Sequence, residues 1–446
     1  MVNIRLILAA VLALALPAAY AQNTADIERR VRELEEKMRV LDPSFGAVDT
    51  NLAARLVALE SKMDQLLEAR QPPSPPEPPP QAAPLQSVSV TGDYQSSGGG
   101  ETRLPVSGYM DFHFNKDRAE PGQFDFHRFV LLFGHSFSSR IKFWSELEVE
   151  HSLVEGGEEK GEVALEQAYL DFLIKPWFNI RAGMVLTPVG LINERHEPPA
   201  FNGVERPFVE TVIIPTTWRE MGFGVTGDLG RGLRYRAYLL SGLDATGFDA
   251  GMGIAEGRTD GFGASFRNPA KVARLEYTGL PRLALGTSVY SGYSGFNLRS
   301  VNPRVNIFSF DGRYSYNRFD LRGLFANTWI SRAGELNVAL QRETGVNPNV
   351  AAQLQGAYVE PAVHVLPRRL RHDMILFSRY EKYDTQHKMP QGFVPLPQFN
   401  RSSWVVGATY KPNADIAVKF DYDFNRNASS VVRAADSFNA GIGWWF

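Results

Sequence analysis

Period-two alternation of apolar and polar residues is the feature that most constrains the fold of this chain. In residues 416–424, one face carries Ile, Val, Phe, Tyr and Phe, and the other carries Ala, Lys, Asp and Asp. Residues 106–114 and 141–150 alternate in the same way. Strands of soluble sandwiches typically run for about five or six residues. These patterns hold for about nine or ten residues, the length that a tilted transmembrane strand needs.

Segments of alternation are separated by breaks that take turns between short and long. Short breaks rich in Pro, Gly, Asn and Ser include 137–140, 175–177, 229–232, 279–282, 317–318 and 411–414. Longer polar breaks lie at 151–162, 188–218, 242–269, 293–304, 333–351, 384–400 and 426–436. Short periplasmic turns and long outer loops are typical of bacterial outer-membrane barrels. We therefore predict an all-β fold, a transmembrane antiparallel barrel of about sixteen strands over residues 105–446.

Composition excludes several other classes of protein. The 446 residues include no cysteine, which rules out disulfide frameworks and cysteine-ligated metal centres. The chain has 47 basic and 49 acidic residues, and this balance argues against a nucleic-acid partner. After residue 17 there is no apolar run of about 18 residues, the length of a membrane helix.

The segment before the barrel divides into three predicted parts. Residues 1–21 combine a basic start, an apolar core and Ala19-Tyr20-Ala21, which is typical of a cleaved signal peptide. Residues 22–70 carry two seams of apolar residues spaced 4-3-4-3, which predict a periplasmic coiled coil. Two amphipathic helices packed on the barrel are the alternative. Residues 71–104 contain eight prolines, then a Gly/Ser-rich stretch, and form the predicted linker.

The last residues form a closing strand with a terminal aromatic side chain. Phe438, Ala440, Ile442, Trp444 and Phe446 alternate to the final residue. A closed barrel leaves no strand edge in the hydrocarbon, so its last strand needs an apolar outward row. We interpret Trp444 and Phe446 as the signal for the barrel assembly machinery.

The break at 188–218 is the first candidate for a functional site. It follows the predicted fifth strand, and its Pro and aromatic content would suit a constriction loop packed inside the lumen; a plain surface loop is the alternative. The candidate constriction residues are Glu194, Arg195, His196, Glu197, Phe201, Glu205 and Arg206. Glu194, His196 and Glu197 do not have standard metal-ligand spacing, so we predict no metal and no cofactor.

Basic side chains on the polar faces of strands are the second candidate. They are Arg128, Arg234, Arg236, Arg274, Arg322, Arg379 and Lys419. Lumen-facing guanidinium groups would attract anions. Alternatively, these groups pair with carboxylates, as the spacings of Arg274 with Glu276 and of Arg379 with Glu381 suggest. Residues 141–210 hold 6 basic and 13 acidic side chains, a net charge of −7, and residues 261–342 hold 11 and 4, a net charge of +7.

The order of these parts resembles the phosphate-selective porin O and P family. The resemblance rests on 106–112, on Phe126-His127-Arg128-Phe129, on 168–172, on Gly183 with Pro188-Val189-Gly190, and on Glu205-Arg206-Pro207. Arg379-Tyr380-Glu381 and the C-terminal strand complete it. It implies a sixteen-stranded trimeric outer-membrane channel, with arginines inside the pore in the phosphate-specific members. This chain departs from those members because it lacks a dense Arg/Lys ladder on one strand and has an acidic stretch at 141–166.

Together these features predict a non-enzymatic outer-membrane porin for small hydrophilic solutes or ions, with a weak preference for anions, of which phosphate is one candidate. Expected partners are outer-membrane lipid and lipopolysaccharide, two further copies in a homotrimer, the barrel assembly machinery, and small ions or solutes. One alternative is a tether or assembly protein that acts through its coiled coil. A barrel hydrolase is another, although the sequence has no Gly-x-Ser-x-Gly and no His-Glu-x-x-His motif.

Overall fold

The computed structural model describes residues 107–118, 121–151, 161–263, 266, 269–298, 300–367 and 369–446. The predicted signal peptide (1–21), coiled coil (22–70) and linker (71–104) lie outside these residues. They remain predictions.

Sixteen antiparallel strands form one closed barrel, which confirms the predicted fold class and strand count. Their bounds are β1 Ser107–Asp117, β2 Gln123–Ser136, β3 Ile141–Glu150, β4 Val163–Lys175, β5 Phe178–Leu186, β6 Arg219–Gly230, β7 Leu233–Leu240, β8 Ala270–Tyr277, β9 Leu283–Tyr293, β10 Arg304–Tyr316, β11 Phe319–Ile330, β12 Gln353–His364, β13 Asp373–Lys388, β14 Asn400–Lys411, β15 Ile416–Asn427 and β16 Ser437–Trp445. Each strand pairs with its neighbours in sequence, and β16 pairs with β1. Closure leaves no unpaired edge.

Burial along the strands is inverted relative to a soluble protein. In β15, the side chains of Phe420 and Phe424 are 49% and 44% exposed, whereas those of Lys419, Asp421 and Asp423 are buried. The same contrast recurs along the barrel, where large apolar side chains face outward and charged ones face inward. An outer surface of this kind is stable in lipid and not in water.

Short connections occur at one end of the barrel, as the alternation predicts. The two-residue turn between β10 and β11 has Asn317 at a φ of 54°, a left-handed conformation that asparagine tolerates well. The breaks predicted from the sequence do not include two of the connections, which are 118–122 between β1 and β2 and 365–372 between β12 and β13.

The connection from β11 to β12 differs from the predicted polar break at 333–351, because it contains a helix, α1 (Ala333–Thr344). This helix buries Leu336 and Leu340, and Asn337 exchanges two hydrogen bonds with the backbone of Val350. Its 12 residues are too few to give a strong periodic signal in the sequence. Within the described residues, no helix has both the length and the apolar character needed to cross a membrane.

The largest apolar cluster lies inside the barrel, where the long connections fold inward and pack on one another. Trp218, Phe248, Ile254, Leu336 and Leu354 belong to it, each no more than 2% exposed. The loops thus supply a core that the strands alone could not, because the inward faces of the strands are largely polar.

Candidate functional site: the inner loop and the charged lumen wall

Residues 187–218, between β5 and β6, fold into the lumen; this segment is called the inner loop below. A 3-10 turn at Pro198–Ala200 contacts β1, β15 and β16, and a π-helical turn at Val209–Ile213 contacts β11, β12 and β13. The inner loop therefore crosses from the β5–β6 wall to the opposite wall. Of the two placements that the sequence left open, the structure has the one inside the lumen.

Carboxylates on the opposite wall hold the inner loop by its backbone. The Val209 N–H donates to Glu381 Oε2 at 3.0 Å, and the Val204 N–H donates to Asp421 Oδ2 at 2.6 Å. Both acceptors lie on inward-facing positions, of β13 and β15 respectively. Hydrogen bonds to charged groups are stronger than neutral ones, so these contacts fix the path of the loop.

The side chain of Glu210 links the first residues of the inner loop to its C-terminal part. Its Oε1 accepts hydrogen bonds from the Leu191 and Ile192 N–H groups at 2.5 and 2.8 Å. Its Oε2 accepts from the Tyr358 hydroxyl of β12 at 2.7 Å. Burial raises the pKa of Glu210 to about 7, although these hydrogen bonds oppose the rise. Its hydrogen-bond partners within the described residues are all neutral: two backbone N–H groups and one hydroxyl.

Basic side chains bind the carbonyl groups of the same loop. Lys419 Nζ donates to Gly203 O at 2.7 Å and lies 3.7 Å from the ring centroid of Phe201. Lys411 Nζ donates to Pro199 O at 2.8 Å. Lys419, a predicted pore-lining residue, and Phe201, a predicted constriction residue, are therefore in contact with each other.

Two predicted arginines lie in buried ion-pair networks. Arg274 contacts Glu276 at 2.9 Å and both carboxylate oxygens of Asp311 at 2.7 and 2.9 Å. Arg379 is 2.7 Å from Glu381 and 3.2 Å from Glu360. The two pairings predicted from sequence spacing, Arg274 with Glu276 and Arg379 with Glu381, are confirmed.

The other predicted arginines also have carboxylates within 4 Å. The distances are 3.2 Å for Arg128–Asp111, 3.7 Å for Arg128–Glu148, 3.3 Å for Arg234–Asp228, 3.2 Å for Arg236–Glu194, 2.9 Å for Arg236–Glu276 and 3.2 Å for Arg322–Glu360. Much of the positive charge that the sequence assigns to the lumen is therefore compensated.

The predicted constriction residues diverge along the inner loop. Glu194 pairs with Arg236, as above. Glu205 Oε1 lies 3.0 Å from Asn115 Nδ2 and 3.1 Å from His113 Nδ1. Arg206 donates to Thr216 and Thr217 within the loop, each at 2.6 Å. His196 and Glu197 are buried, whereas Arg195 is partly exposed.

A cavity of about 470 Å³ lies between the β1–β3 wall and the inner loop. Acidic, basic and histidine side chains line it, together with Phe201, Val204 and Phe208 of the loop. Its charged lining residues are Asp111, Glu148, Glu150, Glu162, Glu205 and Asp260 against Arg128, Arg206, Arg219 and Arg258, with His113, His127 and His196. A solute here would meet charges of both signs.

The sequence prediction missed two groups of residues. Arg313 of β10 faces Arg322 across the β10–β11 pair, and its Nε and Nη2 atoms are buried without a hydrogen-bond partner. Glu146 and Glu166 lie beside His196. Alternation does place Arg313 and Glu146 on inward faces, but it cannot show which loop residue will lie beside them.

The C-terminal residues complete the closure. The Phe446 N–H donates to Gly108 O at 2.9 Å, and the Phe446 ring stacks on Phe129 with centroids 5.7 Å apart. The Trp444 ring lies 5.7 Å from that of Phe112. Their role as an assembly signal stays a prediction.

Comparison with known proteins places these features in context. No protein-family model matches the chain. An uncharacterised protein of Aquifex aeolicus is 34% identical over 356 residues, covering 77% of this chain and 80% of that protein. OmpF of Salmonella typhi, solved with daunomycin, aligns with a TM-score of 0.51 at 14% identity over 76% of this chain and 97% of its own. The outer membrane channel DcaP of Acinetobacter baumannii aligns with a TM-score of 0.51 at 11% identity over 76% and 96%.

These two alignments show a shared barrel fold. They do not confirm the resemblance to the phosphate-selective porin O and P family, which stays a prediction. The identity and coverage of the Aquifex aeolicus protein are high enough to establish common family membership. The chain belongs to the same family as that uncharacterised protein, and its fold is that of the outer-membrane porins.

Proposed function

We propose that the protein is an outer-membrane channel through which small hydrophilic solutes and ions diffuse passively. The observation that carries this proposal is the charged lumen crossed by the inner loop, with a polar cavity of about 470 Å³ beside it, inside a barrel whose outer face is apolar. Pore width and lining charge are the means by which such barrels select solutes. The inner loop supplies both, and we infer that it forms the constriction.

Planar-bilayer recording of the refolded protein tests this function. Stepwise conductance is the expected result, and a silent bilayer at several protein concentrations would contradict it. Asp421→Asn, which weakens one of the contacts that hold the inner loop, should increase the conductance or its noise, because the Val204 N–H loses a charged acceptor. Glu335→Gln is the matched control, because Glu335 is an exposed residue of α1 that pairs with Arg332.

We further propose a weak anion preference, which the unpaired part of the basic wall would produce. Arg313 has two buried guanidinium nitrogens without a hydrogen-bond partner, and Arg195 of the inner loop has one. Arg195 and Arg322 both act on Arg313 electrostatically. Within the described residues neither Arg313 nor Arg195 forms a salt bridge, so their guanidinium groups can attract anions more readily than those of Arg274 and Arg379, which are paired with carboxylates. Phosphate is one candidate anion, and replacing chloride by phosphate in a salt gradient tests it.

Reversal potential in a salt gradient separates this proposal from channel activity itself. Arg313→Gln should shift the reversal potential toward cation selectivity, because it removes a lumen guanidinium group that forms no salt bridge within the described residues. Arg332→Gln, on the exposed end of the β11–β12 connection, is the control that should leave it unchanged. An equal shift in both variants would show that bulk charge, and not Arg313, sets the selectivity.

The remaining expectations concern assembly. We propose that the chain forms a homotrimer in the bacterial outer membrane, in contact with lipid and lipopolysaccharide, after insertion by the barrel assembly machinery. The predicted coiled coil at 22–70 would lie in the periplasm and strengthen the trimer. Deleting 22–70 should leave a folded barrel of lower oligomer stability, measured by native mass; an unchanged oligomer would contradict this role.

A further inference from the structure

Three buried side chains from three different segments meet beside the cavity. His196 Nε2 of the inner loop is 3.1 Å from Glu166 Oε2 of β4 and 3.9 Å from Glu146 Oε1 of β3. One ligand atom from each residue lies within 4.8 Å of the others. Their exposed fractions are 2%, 1% and 0% for His196, Glu146 and Glu166. Imidazole and carboxylate groups at this spacing can share one metal ion.

A β-bulge brings the two carboxylates together. The β3–β4 register shifts between Glu146 and Leu147, so that Glu146 pairs with Gln167 while Leu147 pairs with Leu165. Glu166 is the extra residue, and its side chain is fully buried toward the lumen. Bulges re-aim side chains in this way and occur next to functional sites.

Among the described residues, the charge of the carboxylates at the cluster is only partly compensated. Oε1 of Glu146 and Oε1 of Glu166 accept no hydrogen bond from the described residues, although both are buried. Oε1 of the neighbouring Glu148 is also without a hydrogen bond, and its nearest cation, Arg128, is 3.7 Å away and shared with Asp111. Buried carboxylate oxygens without hydrogen-bond partners are costly, so these Oε1 atoms would favour the binding of a cation.

The histidine is oriented as a metal ligand. Its Nδ1 lies 3.1 Å from Asn193 O, so Nδ1–H donates to that carbonyl and Nε2 is the ring nitrogen that faces the two carboxylates and could bind a metal ion. Asn193 is itself held, because its side chain bonds to Thr187 O and to the backbone of Trp218. The Tyr109 hydroxyl lies 3.0 Å from Nε2 and 3.4 Å from Glu166 Oε2, where it can donate to the carboxylate.

We propose that Glu146, Glu166 and His196 form a binding site for one divalent first-row transition-metal ion, with Zn²⁺ as the best match to one imidazole and two carboxylates. The ion would neutralise the excess carboxylate charge and join the inner loop to the β3–β4 wall. Three protein ligands leave a coordination position for water. This inference is independent of ion conduction, because the site lies between the inner loop and the β3–β4 wall and would keep its ion bound.

Metal binding to the full-length, detergent-folded protein tests the proposal directly. The protein is first freed of metal by a chelator and dialysis, and Zn²⁺ is then added. The Zn²⁺ content by mass spectrometry and the Zn²⁺ affinity by calorimetry should show one strong site per chain. Glu166→Gln and His196→Asn should each lower the affinity by at least about tenfold. His364→Asn is the matched control: His364 also contacts two carboxylates, Asp320 and Asp373, but through different ring nitrogens, so the three cannot share one ion.

Three results of these measurements would overturn the proposed metal site. A wild-type protein that binds no Zn²⁺, as expected if the two glutamates share a proton instead, would overturn the proposal. Unchanged affinity in Glu166→Gln, or equal loss in His364→Asn, would also overturn it. If a variant does not fold, the visible spectrum of Co²⁺ bound to the wild-type chain decides: nitrogen and oxygen ligation displaced by Zn²⁺ supports the site, and the spectrum of hydrated Co²⁺ contradicts it. A silent bilayer would leave these results unaffected.

Discussion

On the β11–β13 side of the lumen, buried arginines lie between carboxylates, whereas on the β1–β4 side carboxylates outnumber the cations that reach them. Arg379 contacts Glu360 and Glu381, and Arg322 contacts Glu360 as well. On the other side, Arg128 lies 3.2 Å from Asp111 and 3.7 Å from Glu148. The first side is an ion-pair network, and the second is an arrangement that favours an added cation or proton.

The net charge of a sequence segment therefore does not measure the uncompensated charge on a wall of the lumen. Residues 261–342 carry a net charge of +7, yet Arg274 and Arg322 from that segment are paired with carboxylates, one of them, Glu360, from outside it. Antiparallel strands place distant residues opposite one another, so compensation occurs across strands. Selectivity should therefore follow the few unpaired groups.

The largest expected effect comes from breaking the compensated side. Arg379→Met should lower the free energy of unfolding by about 3–5 kcal/mol, because it leaves Glu360 and Glu381 buried without their shared cation. Urea unfolding of the detergent-folded barrel, followed by tryptophan fluorescence, measures it. Arg332→Met, which removes an exposed arginine, should cause no measurable change. Similar losses in the two variants would contradict the comparison.

Glu210 should have a smaller effect on the free energy of unfolding. It is buried but accepts hydrogen bonds only from neutral donors, so its effect reports on burial without ion pairing. Burial raises the pKa of Glu210 from 4.5 to about 7. Between these two pH values, Glu210 is therefore largely protonated in the folded protein and largely ionised in the unfolded chain. Its contribution to stability is full below about pH 4.5 and is lost as the pH rises through about 7, by roughly 3 kcal/mol.

The free energy of unfolding should therefore fall between about pH 4.5 and 7.5 more steeply in the wild type than in Glu210→Gln. Glutamine keeps the acceptor for the Leu191 and Ile192 N–H groups and places a neutral amide beside Tyr358. Glu335→Gln, at an exposed position, should keep the wild-type pH dependence. Parallel curves for all three proteins would show that Glu210 is ionised in the folded protein throughout.

The smallest effects come from a matched pair of Glu→Gln variants, one on each side. Glu360→Gln should cost about 2 kcal/mol, because Glu360 is contacted by Asn202, Arg322 and Arg379. Glu148→Gln, measured with a chelator present, should be neutral or stabilise by up to about 1 kcal/mol, because it removes an excess charge whose Oε1 has no hydrogen bond. Equal destabilisation by the two variants would remove the distinction between the two sides.

Much of the barrel was predictable because successive residues of a strand face lipid and the lumen in turn. Apolar and polar residues therefore alternate in the sequence wherever a strand crosses the membrane. That pattern fixed the strand count, the inward positions of Arg274 and Arg379, and the same-face pairings with Glu276 and Glu381. The helix α1 was missed because a short loop helix is stabilised by tertiary packing of Leu336 and Leu340, and not by its own periodicity.

The alternation in the sequence is enough to identify the residues that face the lumen, but the contacts among them depend on the tertiary structure. His196 reaches Glu166, 30 residues earlier, and Glu210 reaches Tyr358, 148 residues later. These contacts depend on the inner loop folding into the lumen, where carboxylates of β13 and β15 bind its backbone N–H groups. Local periodicity cannot encode such contacts, because backbone N–H groups are the same in every residue except proline and carry no sequence signal.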